Sequence, residues 1–111
     1  MEKVIYLKDI IKQAKKEYES CLKNVKEWKD WDYYRHYLWY LVYKRLSNEI
    51  WKNGGAVCVK YRNKVIRLPA NLRWEYKEKI LLDNFWYRIT QIEEKIRDKY
   101  YSRLKKRLEN I

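Results

Sequence analysis

A mainly helical α+β fold with one β-hairpin is what the sequence predicts, and three observations lead there. Apolar residues recur at steps of three and four over residues 4–28 and again over 85–108, which is the period of a helix with one buried face. Between these stretches, residues 56–68 switch to the alternation of strands. Only two Gly and one Pro occur in 111 residues, so little chain is left for loops. That length suits a single domain spanning 1–111. It divides into a helical hairpin over 1–53, a β-hairpin over 54–69 and a C-terminal helical segment over 70–111.

The first helix is read from Val4, Leu7, Ile11, Ala14, Tyr18, Cys21, Val25 and Trp28, a heptad-like seam. Lys8, Lys12, Lys15, Lys16, Lys23 and Lys26 lie off that seam among scattered acids. Such a seam packs on a neighbouring helix of the same chain or on a second copy. A break falls near Lys29. Asp30 is placed to cap a second helix, with Asp32 in its first turn. That helix runs to about Trp51 and stops at Asn53-Gly54. Its middle, Tyr33 to Tyr43, is apolar or aromatic on nearly every side and needs more than one neighbour. A homodimer would supply one, with Leu7, Ile11, Tyr18, Trp31, Tyr34 and Leu38 as its expected interface.

Ala56–Tyr61 and Lys64–Leu68 alternate and are rich in β-branched residues. With Arg62-Asn63 at the turn, Val57 pairs with Leu68 and Val59 with Ile66. Asn63 is the residue expected to accept a positive φ. Lys60, Val65 and Arg67 then share the opposite face, with Arg62 and Lys64 at the tip. Pro69 ends the second strand, and Asn71 caps a helix starting at Leu72. Phe85, Ile89, Ile92, Ile96, Tyr100, Leu104 and Leu108 continue the helical period to about Glu109. Leu81-Leu82-Asp83-Asn84 leaves open whether 72–109 is one helix or two.

Charge narrows the function. The chain carries a net charge of +12, and most of it sits in two segments. Residues 54–74 hold Lys60, Arg62, Lys64, Arg67 and Arg73 and no acid. Residues 99–111 hold Lys99, Arg103, Lys105, Lys106 and Arg107 against Glu109 alone. Concentrated charge of one sign selects a polyanionic partner, and nucleic acid is the commonest because phosphate neutralisation releases counterions. A two-stranded ribbon also fits a DNA major groove. Part of the C-terminal charge has a simpler role, since cations favour a helix C-terminus.

Catalytic chemistry has few candidates. His36 is the single histidine, and with Cys21 and Cys58 it does not complete a structural zinc site. The two cysteines read as small reduced hydrophobes. Gly54-Gly55 lacks the Lys-Ser or Lys-Thr of a phosphate-cradling loop. Glu93-Glu94-Lys95 with Asp83 reads as a solvated ion-pair face rather than a nuclease centre. No cofactor is expected. The N-terminal residues are too charged for a signal peptide, and no apolar run is long enough to span a membrane. The chain therefore reads as soluble and cytoplasmic.

Val65-Ile66-Arg67-Leu68-Pro69, then Leu72 and a helix, then Tyr87-Arg88-Ile89-Thr90-Gln91-Ile92-Glu93, resembles a ribbon-helix-helix DNA-binding domain over residues 64–100. The resemblance implies that Val65 and Arg67 face DNA while Ile66 and Leu68 face the core. It differs from that family in lacking a glycine between the helices and in pairing the strand with Val57–Tyr61 of the same chain. The content of 38% charged residues, with Lys, Arg and Glu prominent, resembles hyperthermophile usage and that of small proteins encoded by viruses of hot-spring archaea.

These readings converge on a non-catalytic nucleic-acid-binding protein, with duplex DNA favoured over RNA. The contacts are expected from Lys60, Arg62, Lys64, Arg67 and Arg73, supported by Arg103, Lys105, Lys106 and Arg107. A protein-protein assembly role through the seam and the aromatic helix is the alternative. A membrane-surface role through the basic first helix comes third.

Overall fold

The computed structural model describes residues 2–109. Its elements in chain order are β1 (Lys3–Tyr6), α1 (Leu7–Lys23), α2 (Trp28–Tyr33), α3 (Tyr37–Asn53), β2 (Val57–Tyr61), β3 (Lys64–Leu68) and α4 (Trp74–Glu109). The α+β class holds. The sheet has three strands in the order β1-β2-β3, with β1 parallel and β3 antiparallel to β2. The strand ahead of α1 corrects the expected helix. Val4, Ile5 and Tyr6 are β-branched or aromatic, and they alternate: Ile5 is buried while Val4 and Tyr6 face solvent. Helices α1 to α3 form the crossover that a parallel pair requires.

The hairpin has the expected register, with Val57 opposite Leu68 and Val59 opposite Ile66. Val57, Val59 and Leu68 are fully buried, and Ile5 joins them on the inner face. The positive φ falls on Arg62, at 55°, rather than on Asn63.

Leu7, Ile11, Ala14 and Tyr18 of the α1 seam are buried, but they pack within the protomer. So do Trp31 and Leu38, while Tyr34 is half-buried against the same core. The six residues expected at a dimer interface are thus occupied by intramolecular packing: α3, the sheet and α4 cover what a second copy was expected to cover. Cys21 and Cys58 are free and half-buried.

The second helix is split in two. His36 has φ 63°, which ends α2 and its turn and starts α3 at Tyr37. A buried carboxylate holds this break in place. Glu93, only 3% exposed, accepts hydrogen bonds from the backbone N–H groups of His36 (3.1 Å) and Leu38 (3.2 Å). It satisfies donors that a helix N-terminus leaves open and places negative charge at the positive end of α3. Glu93 is therefore a buried cap, not part of a solvated ion-pair face. At its other end α3 stops at Gly54, whose φ of 67° is left-handed.

Residues 74–109 form one continuous helix of 36 residues, so the pair of helices implied by the ribbon-helix-helix resemblance is a single element here. It begins at Trp74, two residues later than expected. Leu81, Phe85, Ile89, Glu93, Ile96, Tyr100 and Leu104 form its buried stripe. At 1.5 Å per residue it is about 54 Å long, which accounts for the 57 × 24 × 20 Å shape of the molecule. No helix among the described residues is long and apolar enough to cross a membrane.

Candidate nucleic-acid interface

Two grooves meet at the hairpin tip. Tyr61 closes β2 on its inner face and Arg62 follows in the turn, with its guanidinium 5.4 Å from the Tyr61 ring centre. On one side the tip faces Asn84, Phe85 and Arg88 of α4, and the Lys64 ammonium lies 3.5 Å from the Asn84 carbonyl. On the other side α1 and α4 flank a groove of about 650 Å³ that ends at Tyr61 and Arg62.

Helical spacing explains the charge of this second groove. On α1, Lys8, Lys12, Lys15 and Glu19 each follow a residue of the buried stripe, so they line one flank together with Lys16. On α4, Lys95 precedes Ile96 and Lys99 precedes Tyr100, which puts both on the facing flank. Ile11, Ile92 and Ile96 lie between the flanks. With Arg62 at the end, seven bases line the groove against one acid, Glu19. Among the described residues, none of these seven has a carboxylate within 4.0 Å, and neither do Lys64 and Arg88. All but the half-buried Lys15 are exposed.

The bases singled out from the sequence do not form one surface. Arg62 and Lys64 are at the tip, beside the groove. Lys60 is exposed on the open face of the sheet, beside Tyr6 and Val65. Arg67 is on that same face, but Glu2 neutralises it: the Arg67 Nε donates to a Glu2 carboxylate oxygen at 2.6 Å. That bond, with one from the Cys58 thiol, holds the Glu2 carboxyl below its ordinary range. The absence of acids from residues 54–74 therefore does not leave Arg67 uncompensated, because the acid comes from the residue just before β1, reaching across β2. Arg73 is exposed just before α4, and α4 carries the C-terminal cluster about 50 Å away.

That cluster is partly engaged within the fold. Arg107 donates to the Val25 carbonyl at 2.9 Å, Lys105 lies 3.9 Å from Glu109, and the Arg103 guanidinium sits 5.0 Å from the Tyr100 ring centre. Lys106 is exposed.

Arg97, two residues from Lys95, turns into the protein. It lies 4.3 Å over the Trp31 ring and donates to the Tyr18 hydroxyl (3.1 Å) and the Trp31 carbonyl (3.2 Å). Tyr18 in turn donates to the Tyr34 carbonyl at 2.8 Å, and burial pushes its phenol well above the ordinary value.

Sequence reasoning missed Lys8, Lys12, Lys15, Lys16, Arg88, Lys95 and Lys99 as a group. A signal was present, since Lys8, Lys12, Lys15 and Lys16 stand at i, i+4, i+7 and i+8. Comparison with protein-family models, with curated proteins and with solved structures finds no match to this chain.

Proposed function

We propose that this protein is a small, non-catalytic nucleic-acid-binding protein whose interface is the α1/α4 groove together with the hairpin tip. One observation carries the reading: seven bases from three separate parts of the chain converge on one groove with a single acid among them. Like charges held together repel, and that arrangement is relieved by a polyanion. Phosphodiester backbone supplies the matching charge density.

The ribbon expected to enter a major groove is here part of a three-stranded sheet with one face packed and its tip beside α4. The reading accordingly rests on Arg62 and Lys64 with the groove lysines, more than on Lys60 and Arg67. Fluorescence anisotropy with labelled DNA tests it. Binding should weaken steeply as salt rises, and no salt-dependent binding of any nucleic acid would overturn it.

A second reading is assembly with another protein. It is favoured by a patch on α4, where Tyr87 is 74% and Leu82 40% exposed beside Trp86. It predicts a complex that survives high salt.

A further inference from the structure

We infer that the groove takes a single strand of nucleic acid, with its phosphates on the lysine flanks and its bases turned toward the floor. The inference rests on the nucleic-acid reading above and specifies the form of the ligand. Its basis is the contrast between flanks and floor. The flanks carry ammonium groups, whereas the floor is Ile11, Ile92 and Ile96, closed at one end by the Tyr61 ring and the Arg62 guanidinium. An occupant that matches both must carry strong negative charge along its edges and an apolar, stackable surface between them.

A duplex does not present that combination. It stacks its base faces against one another and turns phosphates outward, so its hydrated backbone would lie over the isoleucines. Packed helices are also only about 8–10 Å apart, so a duplex would rest across the flanks and leave the floor uncovered. A single strand has base faces to offer. Aromatic rings and arginine planes are what such faces stack on, inside a groove whose cations follow the backbone. Lys8, Lys12 and Lys16 rise along α1 in steps of about 6 Å, giving the backbone a row of contacts parallel to the floor. Tyr61 and Arg62 stand where that row ends.

The test compares a labelled oligothymidylate with a duplex of equal length, each titrated at several salt concentrations. The single strand is expected to bind more tightly, with log affinity falling against log salt by about 0.7 per phosphate contact. Tyr61→Leu, which keeps apolar packing beneath the ring position, should weaken oligothymidylate binding roughly five- to a hundredfold through lost stacking. It should leave the salt slope and the duplex affinity unchanged. Tyr61→Phe, which keeps the ring, should bind as the wild type does, and the unchanged duplex affinity of Tyr61→Leu separates stacking from a folding defect. A duplex bound as tightly as the single strand, or a Tyr61→Leu loss shared equally by both ligands, would overturn the inference and leave the nucleic-acid reading standing. Poly-glutamate bound as well as oligothymidylate would overturn it too, because the groove would then read charge alone. Salt-dependent binding of neither nucleic acid would overturn both.

Discussion

The two sides of α4 both carry charged side chains and use them differently. On one side Glu93, Arg97 and Arg107 each bond to backbone distant in the chain: the amides of His36 and Leu38, the carbonyl of Trp31 and the carbonyl of Val25. On the other side Arg88, Lys95 and Lys99 line grooves and have no carboxylate within 4.0 Å among the described residues. Lys95 and Arg97 are two residues apart, which turns them about 200° from one another around the helix. Arg97 is half-buried under Trp31 and holds α2 to α4, whereas Lys95 keeps its charge at the surface. A count of bases along the chain therefore says little about where a polyanion could bind. What matters is which bases are left without a carboxylate partner and point into a common space.

The largest effect that could break this contrast concerns Glu93. Glu93→Leu leaves two amides at the start of α3 without an acceptor, and should destabilise the fold by about 2–4 kcal/mol. Urea unfolding checks the loss, and a loss under ~0.5 kcal/mol would mean that the carboxylate does not hold the His36 break. Arg107→Ala comes next. It removes the donor to Val25 and should cost about 1 kcal/mol in the same assay, with little change in nucleic-acid affinity. A large affinity loss at unchanged stability would place Arg107 with the binding bases instead.

The groove side should behave in the opposite way. Lys12→Ala and Lys95→Ala should each change stability by less than ~0.5 kcal/mol, and the sign should be stabilising at low salt because repulsion is relieved. Calorimetry at low and high salt checks this; a stability loss that persists at high salt would show that these lysines serve the fold.

The smallest effect lies at the sheet edge. Glu2 is held below its ordinary value of 4.5, first by the hydrogen bond from Arg67, and Glu49 is held below it by Lys3. A lowered folded-state pKa contributes stability that is present above 4.5 and lost as pH falls through the lowered value. Both groups are exposed, so screening keeps the effect small. Amide protection in β1, taken relative to the intrinsic exchange rate at each pH, should fall below that pH in the wild type, and less so in Glu2→Gln/Glu49→Gln.

The contrast also explains what could be read from the sequence. The β-hairpin register was legible because alternation and a two-residue turn are local signals, and Val57, Val59 and Leu68 had only one face to share. Leu7, Ile11, Ala14 and Tyr18 were legible as a buried stripe for the same reason. Strand β1 was not, because Val4 also fits the helical step to Leu7, and four residues are too few to separate the two periods. The break at His36 was hidden because its acceptor, Glu93, lies 57 residues away. The groove was hidden because the lysines of α1 sit among acids in the chain, and only the packing of α1 on α4 separates them. Arg67 shows the converse: it looked uncompensated until β1 brought Glu2 beside it.

The central claim is that the groove bases, none with a carboxylate within 4.0 Å among the described residues, and not the partly engaged C-terminal cluster, meet phosphate. The most direct measurement is the slope of log affinity against log salt for oligothymidylate with two variants. Lys8→Ala/Lys12→Ala/Lys95→Ala should lower the slope by about 2, at about 0.7 for each lost contact on a single strand. Lys105→Ala/Lys106→Ala/Arg107→Ala should leave it nearly unchanged. A slope insensitive to the groove substitutions but reduced by the C-terminal ones would contradict the account.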